Sequence, residues 1–136
     1  MEMKVFNSLT RRTEALAPMD GETVRFYTCG PTVYNYAHIG NFRAYTFEDV
    51  LRRTILFCGF KVRQVMNLTD VDDKTIRGAN AAGVALRDYT QTYKDAFFAD
   101  LKSLNIQPAE VYPAATDHIP QMIALVEKLI EKADTQ

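Results

Sequence analysis

The 136-residue sequence has little that interrupts regular structure, with only six glycines and five prolines. That content is too small for a flexible, low-complexity or collagen-like chain. No apolar run approaches the roughly 20 residues of a membrane-spanning helix. The N-terminal residues also lack the apolar stretch of about 7 to 15 residues found in a secretory signal. These absences predict a protein without membrane association and favour the cytoplasm.

Neither sign of charge is in excess, because 16 basic and 17 acidic residues give a net charge of −1. No overall positive field attracts nucleic acid or anionic lipid, so any such contact must be local. A hydrophobic content of 47% and a charged content of 24% are typical of a globular chain with one modest core.

Cysteine is also scarce: Cys29 and Cys58 are the two present, and they form no CxxC pair. A reducing compartment disfavours a disulfide between them, so each needs its own explanation. Cys58 falls on the apolar face of a predicted helix, which indicates packing. Cys29 ends a predicted strand, where most cysteines are small buried apolar residues.

The first half of the sequence predicts a strand, a helix and a second strand. β-branched and aromatic residues over 24–29 stop at a Gly-Pro pair and predict a buried strand. Apolar residues at spacings of three and four predict a helix from Gly40 to about Cys58. Residues 61–66 predict the second strand, so the pattern indicates an α/β protein with one parallel crossover unit. Stable parallel sheets are usually larger, and two strands are therefore typical of a fragment.

The second half of the sequence predicts helices. Asp72 is a candidate cap for a helix that starts near Lys74. Two later apolar faces have helical spacing. They consist of Leu86, Tyr89, Tyr93, Phe97, Leu101 and Leu104, and of Ile119, Met122, Ile123, Val126, Leu129 and Ile130. No repeat or composition shift marks a second independent domain.

A group of basic residues lies around the first predicted helix. It consists of Arg43, Arg52, Arg53, Lys61 and Arg63. Such a group is more often a solvated face than an RNA-binding track. We therefore expect these side chains to be exposed and assign no RNA-binding surface to them.

The candidate chemistry lies in residues 28–41, which connect the first strand to the first helix. A helix N-terminus presents unpaired backbone N–H groups and the positive end of the helix dipole. His38, Gly40 and Asn41 are therefore predicted to lie where phosphate groups are held. Neither GxGxxG nor GxxxxGK[ST] occurs in the sequence. Thr69 and Asp70, which follow the second strand, are predicted to face the same ligand-binding edge of the sheet.

Two segments together resemble the N-terminal half of the catalytic domain of cysteinyl-tRNA synthetases, a class I aminoacyl-tRNA synthetase family. They are TCGPTVYNYAHIGNFRAYTFEDVLRR (28–53) and VMNLTDVDDKTI (65–76). KVFNSL near the start and ATDHIPQMIALVEKLIEK near the end are also similar to the family. The resemblance implies a Rossmann-like, HUP-type nucleotide-binding half-domain. It implies a strand-helix-strand part with the HIGN motif in 1–75 and appended helices in 76–136.

The resemblance implies an ATP-dependent ligase. Family members convert L-cysteine and ATP, with Mg²⁺, to cysteinyl-adenylate and then transfer the cysteinyl group to the 3′ end of tRNA(Cys). The positions that match the family's functional residues are His38 and Asn41 for catalysis, Thr32, His38, Gly40 and Asn41 for ATP, and Gly30, Tyr34 and Thr69 for cysteine. The family's second motif histidine is Asn41 here, whose amide donates hydrogen bonds but cannot carry an imidazolium charge.

Cys29 matches the first of the family's four zinc ligands, so the resemblance implies a Zn²⁺ site. The thiolate of a substrate cysteine bound to zinc is a contact that serine cannot easily imitate. Such a site would therefore distinguish cysteine from serine. The other family ligands and the KMSKS-type loop fall beyond residue 136. The resemblance therefore implies a chain that is inactive alone, within a full-length protein that is a monomer.

Three alternatives remain open. A cysteine ligase that joins the same adenylate to an amino sugar, as in mycothiol synthesis, would have an identical activation half. A nucleotidyltransferase shares the HIGH-like motif but has no reason to carry TCGPTVY. The chain could otherwise be a non-catalytic, truncated module.

Overall fold

A computed structural model describes residues 2–133 of the chain. In chain order, its elements are β1 (Lys4–Asn7), β2 (Arg12–Ala15), β3 (Thr23–Thr28), α1 (Ile39–Phe57), β4 (Lys61–Met66), α2 (Asp73–Ala82), α3 (Leu86–Ser103), a 3₁₀ helix (Ala115–His118) and α4 (Ile119–Ala133). Among these helices, none is both long enough and apolar enough to cross a bilayer.

The parallel pair of β3 and β4, connected by α1, positions the candidate site. The register places Thr28 beside Met66, so both strands end at the same edge of the sheet. Alternate residues of the pair are buried, among them Val24, Thr28 and Gln64. This period of two is expected for a sheet that is covered on one face. The predicted strand-helix-strand unit and the α/β class are confirmed.

An extended segment at 111–114 runs along the other edge of β4 and was not predicted. Met66 donates its backbone N–H to the carbonyl of Val111 at 3.0 Å, and Leu68 donates to the carbonyl of Pro113 at 2.8 Å. Proline is compatible with this position because it contributes only its carbonyl. In the sequence, however, Pro113 favours a loop, and the pairing of this segment with β4 was therefore not predicted.

A second unpredicted element is the antiparallel hairpin of β1 and β2. Lys4 lies opposite Ala15, and Asn7 lies opposite Arg12. Arg11 adopts the left-handed conformation in the turn, with a φ of 57°. Both strands have four residues and no fully buried side chain. Strands this short and exposed leave little apolar alternation in a sequence.

The hydrophobic core lies where α1 and α3 meet the end of β4. The rings of Tyr45 and Phe97 contact edge to face, with centres 5.3 Å apart. The buried cluster consists of Phe42, Tyr45, Met66, Leu68, Phe97, Leu101, Ile106, Ala109 and Ala114. Phe97 and Leu101 confirm the predicted face of α3. Leu104 of that face is instead 49% exposed, because α3 ends one residue before it.

The other predicted helices also form. Asp72 caps α2, since its carboxylate accepts hydrogen bonds from the backbone N–H groups of Lys74 at 2.9 Å and Thr75 at 2.8 Å. The six apolar residues predicted to share one face of α4 are 37–56% exposed. The division of the chain at residue 75 stays a prediction. Residues 134–136 of the predicted helical part lie outside the described residues.

The expectation that Arg52 is solvated is wrong. Arg52 is 9% exposed and forms a bidentate ion pair with Glu110, in which Nη1 of Arg52 lies 3.0 Å from Oε2 of Glu110. Its guanidinium also donates to Gln64 and Gln107, each at 3.3 Å. Glu110 is remote in the sequence, and nothing in the helical pattern around Arg52 identifies it as the partner. The arginine therefore connects α1 to β4 and to the segment after α3.

The Arg52–Glu110 pair predicts a specific acid sensitivity. The hydrogen bond from Arg52 lowers the pKa of Glu110 from 4.5 to about 2. A carboxyl with a lowered folded-state pKa stabilises the fold fully above pH 4.5, and this contribution disappears as the pH falls towards 2. We expect Glu110→Gln to lose less stability than wild type over that interval in acid titrations followed by circular dichroism. Equal losses would contradict the assignment, and Glu127→Gln on α4 is the control.

Candidate active site

The loops that follow β3 and β4 run side by side and form the floor of the candidate site. The backbone N–H of Val33 donates to the carbonyl of Thr69, and that of Thr69 donates to the carbonyl of Pro31, both at 3.0 Å. A Cβ atom at Gly30 would lie 1.9 Å from the carbonyl oxygen of Asn67. Glycine is therefore required at position 30 for these two loops to approach each other.

The start of α1 is closed by a reciprocal pair of side-chain caps. The imidazole Nδ1 of His38 accepts a hydrogen bond from the backbone N–H of Gly40 at 3.0 Å. The amide oxygen of Asn41 accepts from the backbone N–H of His38, also at 3.0 Å. The backbone N–H of Asn41 donates to the carbonyl of His38 at 2.9 Å. All three backbone N–H groups expected to hold phosphate are thus already hydrogen-bonded within the protein.

The capping pair leaves side-chain donors in place of backbone donors. Because Nδ1 of His38 accepts a hydrogen bond, the neutral imidazole carries its proton on Nε2, where it can donate to a ligand. The amide oxygen of Asn41 is occupied, and its NH₂ group remains able to donate. Gly40 also makes this cap possible. A Cβ there would lie 2.8 Å from Cε1 of His38, so the missing side chain makes room for the imidazole cap.

These residues open onto a cavity of about 360 Å³ at the edge where the strands end. The lining residues are Gly30, Pro31, Thr32, Tyr34, Asn35, Tyr36, Ala37, His38, Asn41, Tyr45 and Lys74. Five of the predicted site residues, Gly30, Thr32, Tyr34, His38 and Asn41, therefore share one cavity. Gly40 lies instead on a neighbouring depression with Arg43 and Phe47.

Thr69 and Cys29 also lie outside that lining. Thr69 supports the floor through its backbone, and its hydroxyl accepts a hydrogen bond from the side-chain amide of Asn67 at 3.0 Å. Cys29 precedes the first lining residue and carries an exposed, free thiol. Burial raises the pKa of Tyr45 to about 12, with smaller contributions from Glu48 and Cys29. Cys29 thus directly precedes Gly30 at the edge of the cavity.

Tyr27 is a close polar neighbour of Cys29. Burial and the adjacent Cys29 thiol both raise the pKa of Tyr27, whose hydroxyl donates to the amide oxygen of Asn67 at 2.7 Å. Residues 2–133 contain no group of three or more His, Cys, Asp or Glu side chains that could hold a metal. A tetrahedral zinc site needs four ligands. The described residues can therefore supply one thiolate and do not make a zinc site by themselves.

Lys74, which was not among the predicted site residues, lines the same cavity from the first turn of α2. Its ammonium nitrogen lies 4.8 Å from the centre of the Tyr34 ring. A cation in the first turn of a helix opposes the helix dipole. This unfavourable position is the sequence feature that could have marked Lys74 as a binding residue.

α3 contacts two of the tyrosines of the cavity wall, Tyr34 and Tyr36. The hydroxyl of Tyr89 donates to the backbone carbonyl of Tyr34 at 2.8 Å. The rings of Tyr36 and Tyr93 contact edge to face, with centres 5.2 Å apart. The loop that leads to His38 is thus fixed by the helical part as well as by the sheet.

Comparison with known proteins identifies similar sequences. The family described as tRNA synthetases class I (C) catalytic domain matches residues 15–135. The cysteine–tRNA ligase of Protochlamydia amoebophila is 62% identical over 130 residues, which are 96% of this chain and 27% of that protein. The cysteine–tRNA ligase of Brachyspira hyodysenteriae is 55% identical over 130 residues, with the same two coverages.

A third relative, the cysteine–tRNA ligase of Chlamydia muridarum, is 53% identical over 132 residues. The match covers 97% of this chain and 28% of that protein. The chain therefore spans 27–28% of the length of the relatives it matches.

Proposed function

Because the chain belongs to the family of class I (C) tRNA synthetase catalytic domains, we propose that it forms the nucleotide-binding part of a cysteine–tRNA ligase. The full-length enzyme activates L-cysteine with ATP to give cysteinyl-adenylate and pyrophosphate. It then transfers the cysteinyl group to the 3′ end of tRNA(Cys). The observation that carries this proposal is the cavity in which His38 and Asn41, fixed by mutual capping, keep free donors.

The activation step requires positioning and charge stabilisation, not a covalent enzyme intermediate. The cysteine carboxylate attacks the α-phosphorus of ATP, and negative charge develops on the phosphate oxygens as pyrophosphate leaves. We assign Nε2–H of His38 and the NH₂ of Asn41 as donors to those oxygens. Their capping bonds hold both groups before the substrate arrives, so little reorganisation accompanies the reaction.

The other site residues have supporting roles in this proposal. Thr32 and Gly40 contribute to ATP binding, Gly40 by admitting the imidazole cap. Gly30, Tyr34 and Thr69 contribute to the cysteine site. This role is supported by Gly30 and Tyr34, which line the same cavity as His38, and by Thr69, whose backbone bonds form the cavity floor. Class I tRNA synthetases use ATP, and we propose that Mg²⁺ accompanies it.

We propose that Cys29 is one ligand of a zinc ion whose remaining ligands lie outside the described residues. A bound zinc supplies a soft acceptor for the thiolate of the substrate, which serine matches poorly. The exposed, free thiol of Cys29 at the end of β3 supports this role. We further propose a monomeric, cytoplasmic protein. The relatives described above are named cysteine–tRNA ligases and do not favour an amino-sugar acceptor.

The test is ATP–pyrophosphate exchange by a full-length protein that carries this sequence. We expect exchange that depends on cysteine, is not supported by serine, and is followed by transfer of cysteine to tRNA(Cys). The 136-residue chain alone is expected to give no exchange. Transfer to an amino-sugar acceptor instead of tRNA, or exchange without cysteine, would overturn the proposal.

A separate prediction concerns zinc. In the full-length protein, we expect Cys29→Ala to reduce the zinc that survives dialysis against a chelator by more than half, since one of four ligands is lost. Cys58→Ala is the matched control, because Cys58 ends α1 and is half-buried. Metal content is measured by atomic absorption. Stoichiometric zinc in Cys29→Ala after dialysis would refute the ligand role.

A further inference from the structure

Lys74 has a position that packing and charge pairing do not explain. It is the second residue of α2, where the positive end of the helix dipole disfavours a cation. The structure gives ion pairs to other basic residues, among them Arg52 and Lys94, but none to Lys74 within residues 2–133. Its contact is the face of the Tyr34 ring at 4.8 Å, a cation–π interaction that leaves the ammonium hydrogens free to donate.

The cavity itself has the composition of an anion site. Lys74 is the one lysine or arginine among the residues that line it in the described chain, and no aspartate or glutamate lines it. His38 and Asn41 supply the donors already described. This wall therefore favours a ligand with negative charge, and a polyphosphate carries more of it than a single carboxylate does.

We propose that Lys74 is a further binding residue of this site and donates to the phosphate oxygens of the bound nucleotide from the α2 wall. The inference rests on the proposed function in that ATP occupies this cavity. An ammonium group offers three donors and a compact charge, which suits phosphate. Tyr34 holds the ammonium at the cavity before the nucleotide arrives.

The position of this wall is fixed from two sides. The hydroxyl of Tyr89 on α3 donates a hydrogen bond to the backbone carbonyl of Tyr34 at 2.8 Å. Gly78, one turn after Lys74 on α2, admits the same tyrosine, because a Cβ there would lie 2.2 Å from the Tyr89 hydroxyl oxygen. Lys74, the Tyr34 ring that it contacts, and Tyr89, which bonds to the Tyr34 backbone, thus form one connected unit.

The test compares the binding of ATP and adenosine to the full-length protein by isothermal titration calorimetry. We expect Lys74→Ala to raise the Kd for ATP about tenfold or more, as for the loss of a charge-assisted hydrogen bond. The Kd for adenosine, which has no phosphate, should stay within about twofold. Lys74→Arg should retain most of the ATP affinity because the charge remains. Lys128→Ala, on the exposed part of α4, is the control.

Three outcomes overturn the inference: an unchanged Kd for ATP in Lys74→Ala, equal losses for ATP and adenosine, or no binding of ATP by the wild type. Equal losses would indicate that the lysine supports the fold of the wall. Binding is measured without cysteine or tRNA, so its result is independent of the ligase reaction. A wild type that binds ATP but shows no cysteine-dependent exchange overturns the proposed function, while an ATP-specific loss in Lys74→Ala still supports the role of Lys74.

Discussion

The rate of cysteinyl-adenylate formation is expected to fall about 100- to 1,000-fold when His38 is replaced by alanine in the full-length protein. Removal of one preorganised donor to a developing oxyanion costs about this much in other enzymes. The substitution deletes Nε2–H and also the Nδ1 acceptor that caps α1 at Gly40. Since the donor acts on charge that develops during the reaction, the loss should appear in kcat more than in the KM for ATP. ATP–pyrophosphate exchange at varied ATP concentrations measures both kcat and the KM for ATP.

A second substitution separates the donor from the cap. The loss of an N-cap side chain costs about 1 kcal/mol of stability, too little to unfold the protein. His38→Asn keeps a capping oxygen, so its unfolding temperature should stay near that of wild type while the rate remains low. His118→Ala, in the exposed 3₁₀ helix, is the control and should keep full activity. An unchanged rate in His38→Ala would remove this residue from the site.

The crossover unit could be predicted from the sequence because local patterns specify it. The β-branched run before Gly30 and the spacing of apolar residues in α1 each have a local cause, and the observed boundaries lie within one residue of those predicted. The segment 111–114 could not be predicted, because its order comes from pairing with β4. The prediction that Arg52 is exposed failed for the same reason, because its partner Glu110 lies 58 residues away in the sequence.

The candidate site was predictable in its composition and not in its hydrogen bonds. The motif around His38 places several side chains at one strand edge, where the structure gathers five of them around a cavity. The general behaviour of helix N-termini indicated free backbone donors. The side chains of His38 and Asn41 instead occupy those donors and become the available groups themselves. Lys74 was missed because its relation to Tyr34 depends on how α2 packs beside the loop.

Asp70 was expected at the ligand-binding edge together with Thr69, but it faces a different part of the molecule. It is 2% exposed, and its carboxylate accepts hydrogen bonds from the Lys94 ammonium at 2.6 Å and from the backbone N–H and hydroxyl of Thr116 at 2.9 and 2.7 Å. Burial alone would raise the pKa of Asp70, but the bonds from Lys94 and Thr116 lower it overall. The carboxylate therefore joins the end of β4 to α3 and to the 3₁₀ helix.

We expect Asp70→Ala to destabilise the protein by about 3–5 kcal/mol, the usual cost of removing one partner from a buried ion pair. The side chain of Lys94 is only 14% exposed and would be left without a counter-charge. The double variant Asp70→Ala, Lys94→Met removes both charges and should recover much of the loss. Urea unfolding at pH 7, followed by circular dichroism, measures both variants. A double variant no more stable than Asp70→Ala would contradict this explanation, because an unpaired lysine would not be the source of the loss.

The lowered pKa of Asp70 also fixes how this stabilisation depends on pH. The wild-type advantage over Asp70→Asn should be complete above the ordinary carboxyl pKa of 3.8 and decline as the pH falls below it.

Asp70 directly follows Thr69, whose backbone bonds form the floor of the cavity. Loss of the Asp70 network should therefore release that floor as well, and ATP affinity should weaken in Asp70→Ala but recover in the double variant. Calorimetric titration of ATP without urea, with circular dichroism to show that each variant is folded at the titration temperature, distinguishes this coupling from global unfolding.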